Sequence, residues 1–284
     1  MNGGVMNVGG TNVGGVNRAP LHEPLFFGAR ERTLFGLLHS QPGPQRRAMV
    51  LCAPLLQEGI RSHRALWVLA ESAAASGVAS LCFDWYGTGD SGGEDTALSL
   101  AGMLADLDLA RQTLSVRAGT DRIEWLALRS AALPLLVHLA AKSQPVELVL
   151  WDPQLSGTAL VESWYEQHRA QMYGSGRYPH ARHEPEPDEL LGFAVDASLL
   201  GTLRALDATQ LQLPRGSHVR LLLWQADEDI VRFSHSQRMH GVTVETVLLE
   251  DLDRPGWEEP TQFGSQAYPR RSVAKISQRL ESAR

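Results

Sequence analysis

The stretch Ile123–Leu133, IEWLALRSAAL, decides how this chain is read. Ile123–Leu128 is an apolar run of strand length. It meets a tight turn of small residues, and Leu133–Ala141 then continues as an apolar run of helical character. A buried strand that passes through a sharp turn into a helix is half of an alternating strand–helix unit. The residue at the turn is Arg129, a charge set between two apolar elements.

The same alternation extends in both directions. Ala48–Cys52 is a continuous apolar run, as expected for a strand buried on both faces. A helix is predicted over His63–Ala75, a strand over Ala79–Phe83 and a helix over Leu98–Leu114. Beyond the turn, Val146–Trp151 reads as a strand ending in Asp152-Pro153. Strands Val219–Trp224 and Val242–Leu249 and a helix Arg271–Leu280 follow. Leu25–Phe27 and Leu34–Leu38 flank the polar turn Arg30–Arg32 and predict an antiparallel hairpin. The pattern is that of an α/β protein with a mostly parallel central sheet flanked by helices. Residues 155–215 interrupt it. They carry helix-like pieces at Ala159–Met172 and Leu199–Leu206, the polar run GSGRYPHARHEPEPDE, and no convincing strand. An insertion of this length between sheet strands is expected to form a helical cap over the active face.

Composition narrows the function classes. The chain has 284 residues, of which 43% are apolar, enough for a sizeable core. A net charge of −6 gives no reason to expect nucleic acid as a partner. Residues 1–20, rich in Asn and Gly, read as a flexible tail without a secretory pattern, leaving 21–284 as the domain. No apolar run is long enough to span a membrane. Cys52 and Cys82 lie in strand-like runs and suggest buried thiols in a reducing, cytoplasmic setting. Their spacing is not that of a metal site, and no metal or cofactor is expected.

The second informative motif is Asp84-Trp85-Tyr86-Gly87-Thr88-Gly89-Asp90-Ser91-Gly92-Gly93, directly after a buried strand. No helix opens on a G-x-G-x-x-G spacing, and no Gly-Lys-Ser/Thr is present, so neither a dinucleotide site nor a P-loop fits. The order strand, Pro-containing loop, helix, strand, glycine-rich loop, helix, strand, turn, helix, strand, cap and acid-bearing strand is similar to that of α/β-hydrolases. The runs Cys52–Glu58, Phe83–Ser91 and Leu148–Pro153 more narrowly resemble serine-aminopeptidase-like hydrolases associated with bacterial exosortase and exopolysaccharide systems. Some members of that branch carry arginine at the turn, as Leu128-Arg129 does here. The resemblance implies an ester or acyl hydrolase, or an acyl-transfer enzyme.

In such enzymes the strand–turn–helix is a nucleophile elbow, G-x-S-x-G. The best register here is Ala127-Leu128-Arg129-Ser130-Ala131, which puts a non-nucleophile at the central position. Ser130 is the nearest hydroxyl and the candidate nucleophile of a shifted elbow. Asp227 and Asp229, after the strand Val219–Trp224, are both candidate acids. No histidine follows His240, so the loop near Asp251–Trp257 lacks the expected base, and His63 is the first histidine to test. Arg129, Asp84, Asp152 and Leu55 are the candidate ligand-contacting residues. Arg129 at a helix start suits an anionic small molecule under the cap, or pairs with an aspartate to close a dead site. The expectations are therefore a hydrolase with a non-standard site, a degraded hydrolase that binds an anionic ligand, or an accessory protein in an envelope or polysaccharide pathway. A homodimer is compatible with each.

Overall fold

The computed structural model describes residues 21–43, 45–174, 189–259 and 268–282. The predicted tail and residues 175–188 of the polar run lie outside them. An eight-stranded sheet runs in the order β1-β2-β4-β3-β5-β6-β9-β10. Strands β1 (Leu21–Ala29) and β2 (Arg32–Ser40) form the predicted hairpin, and β2 is antiparallel to β4 (Val78–Phe83). From β4 through β3 (Arg47–Cys52), β5 (Ile123–Leu128), β6 (Glu147–Trp151), β9 (His218–Leu223) and β10 (Thr243–Leu248) every pairing is parallel.

Side chains alternate across this sheet and feed two cores. Met49, Leu51, Leu126 and Leu128 pack with α1 (Leu56–Ala75) and α7 (Arg270–Ser282). Ala48, Val50, Trp125 and Ala127 pack on the other face with α2 (Leu100–Ala118), α3 (Ala132–Ala140) and α6 (Glu228–Met239). Both faces of β3 and β5 are thus covered, which is why those runs read as continuously apolar.

Two expectations need correction. Helix α1 begins at Leu56, seven residues before the predicted start at His63. Glu58, Gly59, Arg61 and Ser62 look like loop because they are polar or small, yet Glu58 and Ser62 are buried. The insertion between β6 and β9 holds α4 (Gly157–Gly174) and α5 (Ala197–Arg204), as expected of a helical cap, but also a short hairpin, β7 (Glu189–Leu190) with β8 (Phe193–Ala194). Strands of two residues carry no readable alternation. The turn between them, at Leu191, is anchored from both sides: the Leu191 amide donates to His168 Nδ1 at 3.0 Å, and Gln57 Nε2 donates to the Leu191 carbonyl at 2.9 Å.

Candidate functional site

Arg129 follows β5 directly and has a positive φ of 49°. A non-glycine residue in the left-handed region costs on the order of 1–3 kcal/mol and persists only where its surroundings hold it. Its carbonyl accepts from Gln154 N at 3.2 Å, tying the turn to the loop after β6. The sharp turn therefore falls at Arg129, in the register read from the sequence. Ser130, one residue on, is fully buried, and its Oγ accepts the Leu55 amide at 2.9 Å.

The Arg129 side chain is only 5% exposed and meets three carboxylates. Nε donates to Glu58 Oε1 at 2.9 Å, Nη1 donates to Asp152, and Nη2 pairs with Glu258. Burial opposes the guanidinium charge, but Glu58, Asp152 and Glu258 outweigh it and hold the group firmly protonated. Glu58 is pulled the other way. Burial pushes its carboxyl above the usual range, the opposing pull of Arg129 falls short, and Glu258 and Asp152 add to the rise. Its Oε2 is buried without a hydrogen-bond partner among the described residues. Arg61 donates to the Trp257 carbonyl and Arg254 lies 3.4 Å from Glu258, so both supply positive charge around the cluster. Trp257 packs against Trp151 and Trp224 at centroid distances of 5.7 and 6.3 Å, which seats the loop that brings Glu258 in.

This corrects the expectation of an anionic ligand on Arg129. Each of its three nitrogens is already engaged by a carboxylate, and an added anion would face three like charges. Glu58 and Glu258 were not singled out from the sequence. The only signals were a glutamate closing the Cys52–Glu58 run and an acid in the loop after the last strand, where a histidine was sought.

The other candidates divide between two cavities. A polar cleft of about 290 Å³ is lined by Arg129, Asp152, Asp227, Asp229, Arg254 and Glu258 among others, with no histidine among its described lining residues. Asp227 caps α6, its Oδ1 accepting Ile230 N at 2.8 Å, and Asp229 pairs with Arg232. His63 and Asp84 lie elsewhere. They line a largely apolar cavity of about 470 Å³ between β2, β4, α1 and the cap, together with Leu37, Trp67, Val195 and Leu199. Burial raises the Asp84 carboxyl, while the Asp90 amide and His63 work against the rise. Leu55 borders this second cavity too. The glycine-rich loop is held by Ser91, which donates to the Asp84 carbonyl at 2.6 Å and accepts Phe35 N at 2.8 Å.

No protein-family model matches the chain, and no curated protein matches its sequence. Solved structures do. Est1E from Butyrivibrio proteoclasticus with ferulic acid bound is similar over 91% of this chain and 97% of its own, at 13% identity and a TM-score of 0.60. XC6422 from Xanthomonas campestris, described as an α/β serine hydrolase without lid, is similar over 92% of each chain, at 14% identity and a TM-score of 0.55. The hypothetical protein PA2218 from Pseudomonas aeruginosa is similar over 98% of this chain and 99% of its own, at 14% identity and a TM-score of 0.58. The fold is the α/β-hydrolase fold.

In an α/β-hydrolase the oxyanion hole is formed by the amide after the nucleophile and an amide from the loop after the third strand. Ser130 and Leu55 occupy those two places here. The Leu55 amide donates to the Ser130 hydroxyl, which joins the two positions directly. That hydrogen bond engages the Leu55 amide and holds the buried Ser130 hydroxyl against the loop after β3.

Proposed function

We propose that this protein is an α/β-hydrolase-fold binding protein that takes a small molecule with an apolar body into the β2–β4–α1 cavity and does not run serine-triad chemistry at its elbow. One observation carries the reading: the elbow residue is a buried arginine with its nitrogens engaged by Glu58, Asp152 and Glu258. The cavity size supports it, since pockets of about 300–1,000 Å³ hold small organic ligands. An accessory role in a bacterial envelope or polysaccharide pathway belongs to this proposal, on the strength of the resemblance to exosortase-associated hydrolases. No described helix is long and apolar enough to cross a membrane. The free cysteines support a reducing compartment, burial pushing the Cys82 thiol up to about 12.

The competing reading, an ester hydrolase or acyl-transfer enzyme with Ser130 as nucleophile, is favoured by that same resemblance. A fluorophosphonate probe with a short acyl ester panel separates the two. We expect background labelling and turnover; labelling abolished by Ser130→Ala overturns the binding reading. Thermal shift with 1-octanol tests the cavity directly. A ligand at 100-fold its Kd stabilises by about 2.7 kcal/mol. A shift absent in Leu37→Trp, which fills the cavity, is the expected result.

A further inference from the structure

The cavity is a slot between one face of the sheet and one face of α1. Phe35, Leu37 and His39 on β2, with Cys82 and Asp84 at the end of β4, alternate onto its floor. Leu56, Gly59, Ile60, His63 and Trp67 form its wall at helical spacing. His39 lies opposite Ser80, four residues before Asp84. At about 3.3 Å per residue, the two polar ends of the slot stand about 13 Å apart.

The ends differ in chemistry. At one, Asp84 has Asp90 and His63 as charged neighbours, Asp95 also lines the cavity, and no lysine or arginine does so among the described residues. Asp84 Oδ2 accepts the Asp90 amide at 3.0 Å, and no hydrogen bond to Oδ1 is seen among the described residues. Gly89 has a positive φ of 54°, and a Cβ there would lie 2.2 Å from Oδ2, so the loop closes tightly over this carboxylate. At the other end His39 is fully buried, its Nε2 sealed and without a partner among the described residues. Its Nδ1 lies 3.1 Å from His22 Nδ1, and its ring meets Trp67 edge-on at 5.0 Å. Burial, then His22, lower its pKa to about 4, so the imidazole is neutral at physiological pH.

We propose that the cavity binds a primary amine on an extended apolar chain, with the ammonium held at Asp84 and the chain running along the slot toward His39. The assignment rests on the reading of this cavity as the ligand site and names its ligand class. An acidic mouth disfavours a carboxylate head, the apolar walls take the chain, and the charge-assisted hydrogen bond at Asp84 supplies the selectivity.

Calorimetric titration of the full chain with octylamine, 1-octanol and octanoate tests it. Octylamine is expected to bind about tenfold tighter than octanol, equivalent to about 1.4 kcal/mol, and octanoate weakest. Asp84→Asn should bring octylamine to the octanol level while leaving octanol unchanged. The double variant Asp90→Asn/Asp95→Asn, at two exposed positions, gives a second and smaller loss that does not depend on Asp84→Asn folding. Equal affinity for all three probes, or octanoate binding tightest, overturns the amine assignment while the cavity reading stands. Failure of every probe overturns both, as does octylamine binding that survives Leu37→Trp.

Discussion

Two concavities lie close together in this molecule, and they have been filled in opposite ways. The cleft over the elbow is small and polar, with its central cation neutralised by protein carboxylates. The slot beside it is larger and mostly apolar, with its polar groups left at the two ends. A site whose charges satisfy one another has little left to offer a ligand. The slot, with apolar walls and the Asp84 carboxylate at one end, leaves its surface open to one. The difference teaches that this fold can keep the sharp elbow turn while committing its central side chain to the protein's own carboxylates.

The sharpest way to break the comparison is Arg129→Leu. It leaves three carboxylates without their cation, and loss of a buried partner costs on the order of 3–5 kcal/mol. Urea unfolding should show a loss of that size, partly restored by adding Glu58→Gln and Asp152→Asn. A loss below about 1 kcal/mol would mean that the cluster is not the structural hub described here. Ser130→Ala comes next. It strands the buried Leu55 amide, at a cost of about 1–3 kcal/mol, with no change in background esterase turnover.

The third prediction concerns the slot and pH. The depressed pKa of His39, about 4 against an ordinary 6.5, means that the unfolded chain takes up a proton which the folded one refuses. This contribution is present above pH 6.5 and is lost as pH falls toward 4. His39→Gln should therefore flatten the acid limb of the stability profile by up to one proton, about 1.4 kcal/mol per pH unit. An unchanged slope would show that His39 titrates normally. Glu58 carries the opposite sign. Its raised pKa favours the folded state at low pH, and that advantage is lost as pH rises from 4.5 through the folded value. The smallest effect is Asp229→Asn, which removes a partly exposed pair with Arg232 and should change stability by less than about 0.5 kcal/mol.

The succession of strands and helices along the chain and the turn were legible because each rests on local pattern. Ile123–Leu128 was read with the boundaries the structure has. Arg129 was read at the turn, and the turn is there. The start of α1 was not legible, because Glu58 looks like a surface residue until its partner is known. Asp227 was legible as an acid after a strand; that it caps α6 depends on where Ile230 N points. His63 was picked out as the histidine to test, yet it lines the slot with Asp84 and not the cleft over Arg129.

The sequence alone determined the α/β alternation, the elbow position and the arginine in it, since apolar runs, turn residues and identities are properties of short segments. Only the tertiary structure decided what that arginine does. Its partners come from the first turn of α1, the end of β6 and the loop after β10, and they converge because the parallel strands deliver all their C-terminal ends to one edge of the sheet. The slot was decided the same way: its acidic and imidazole ends belong to different strands, and antiparallel register alone sets the distance between them.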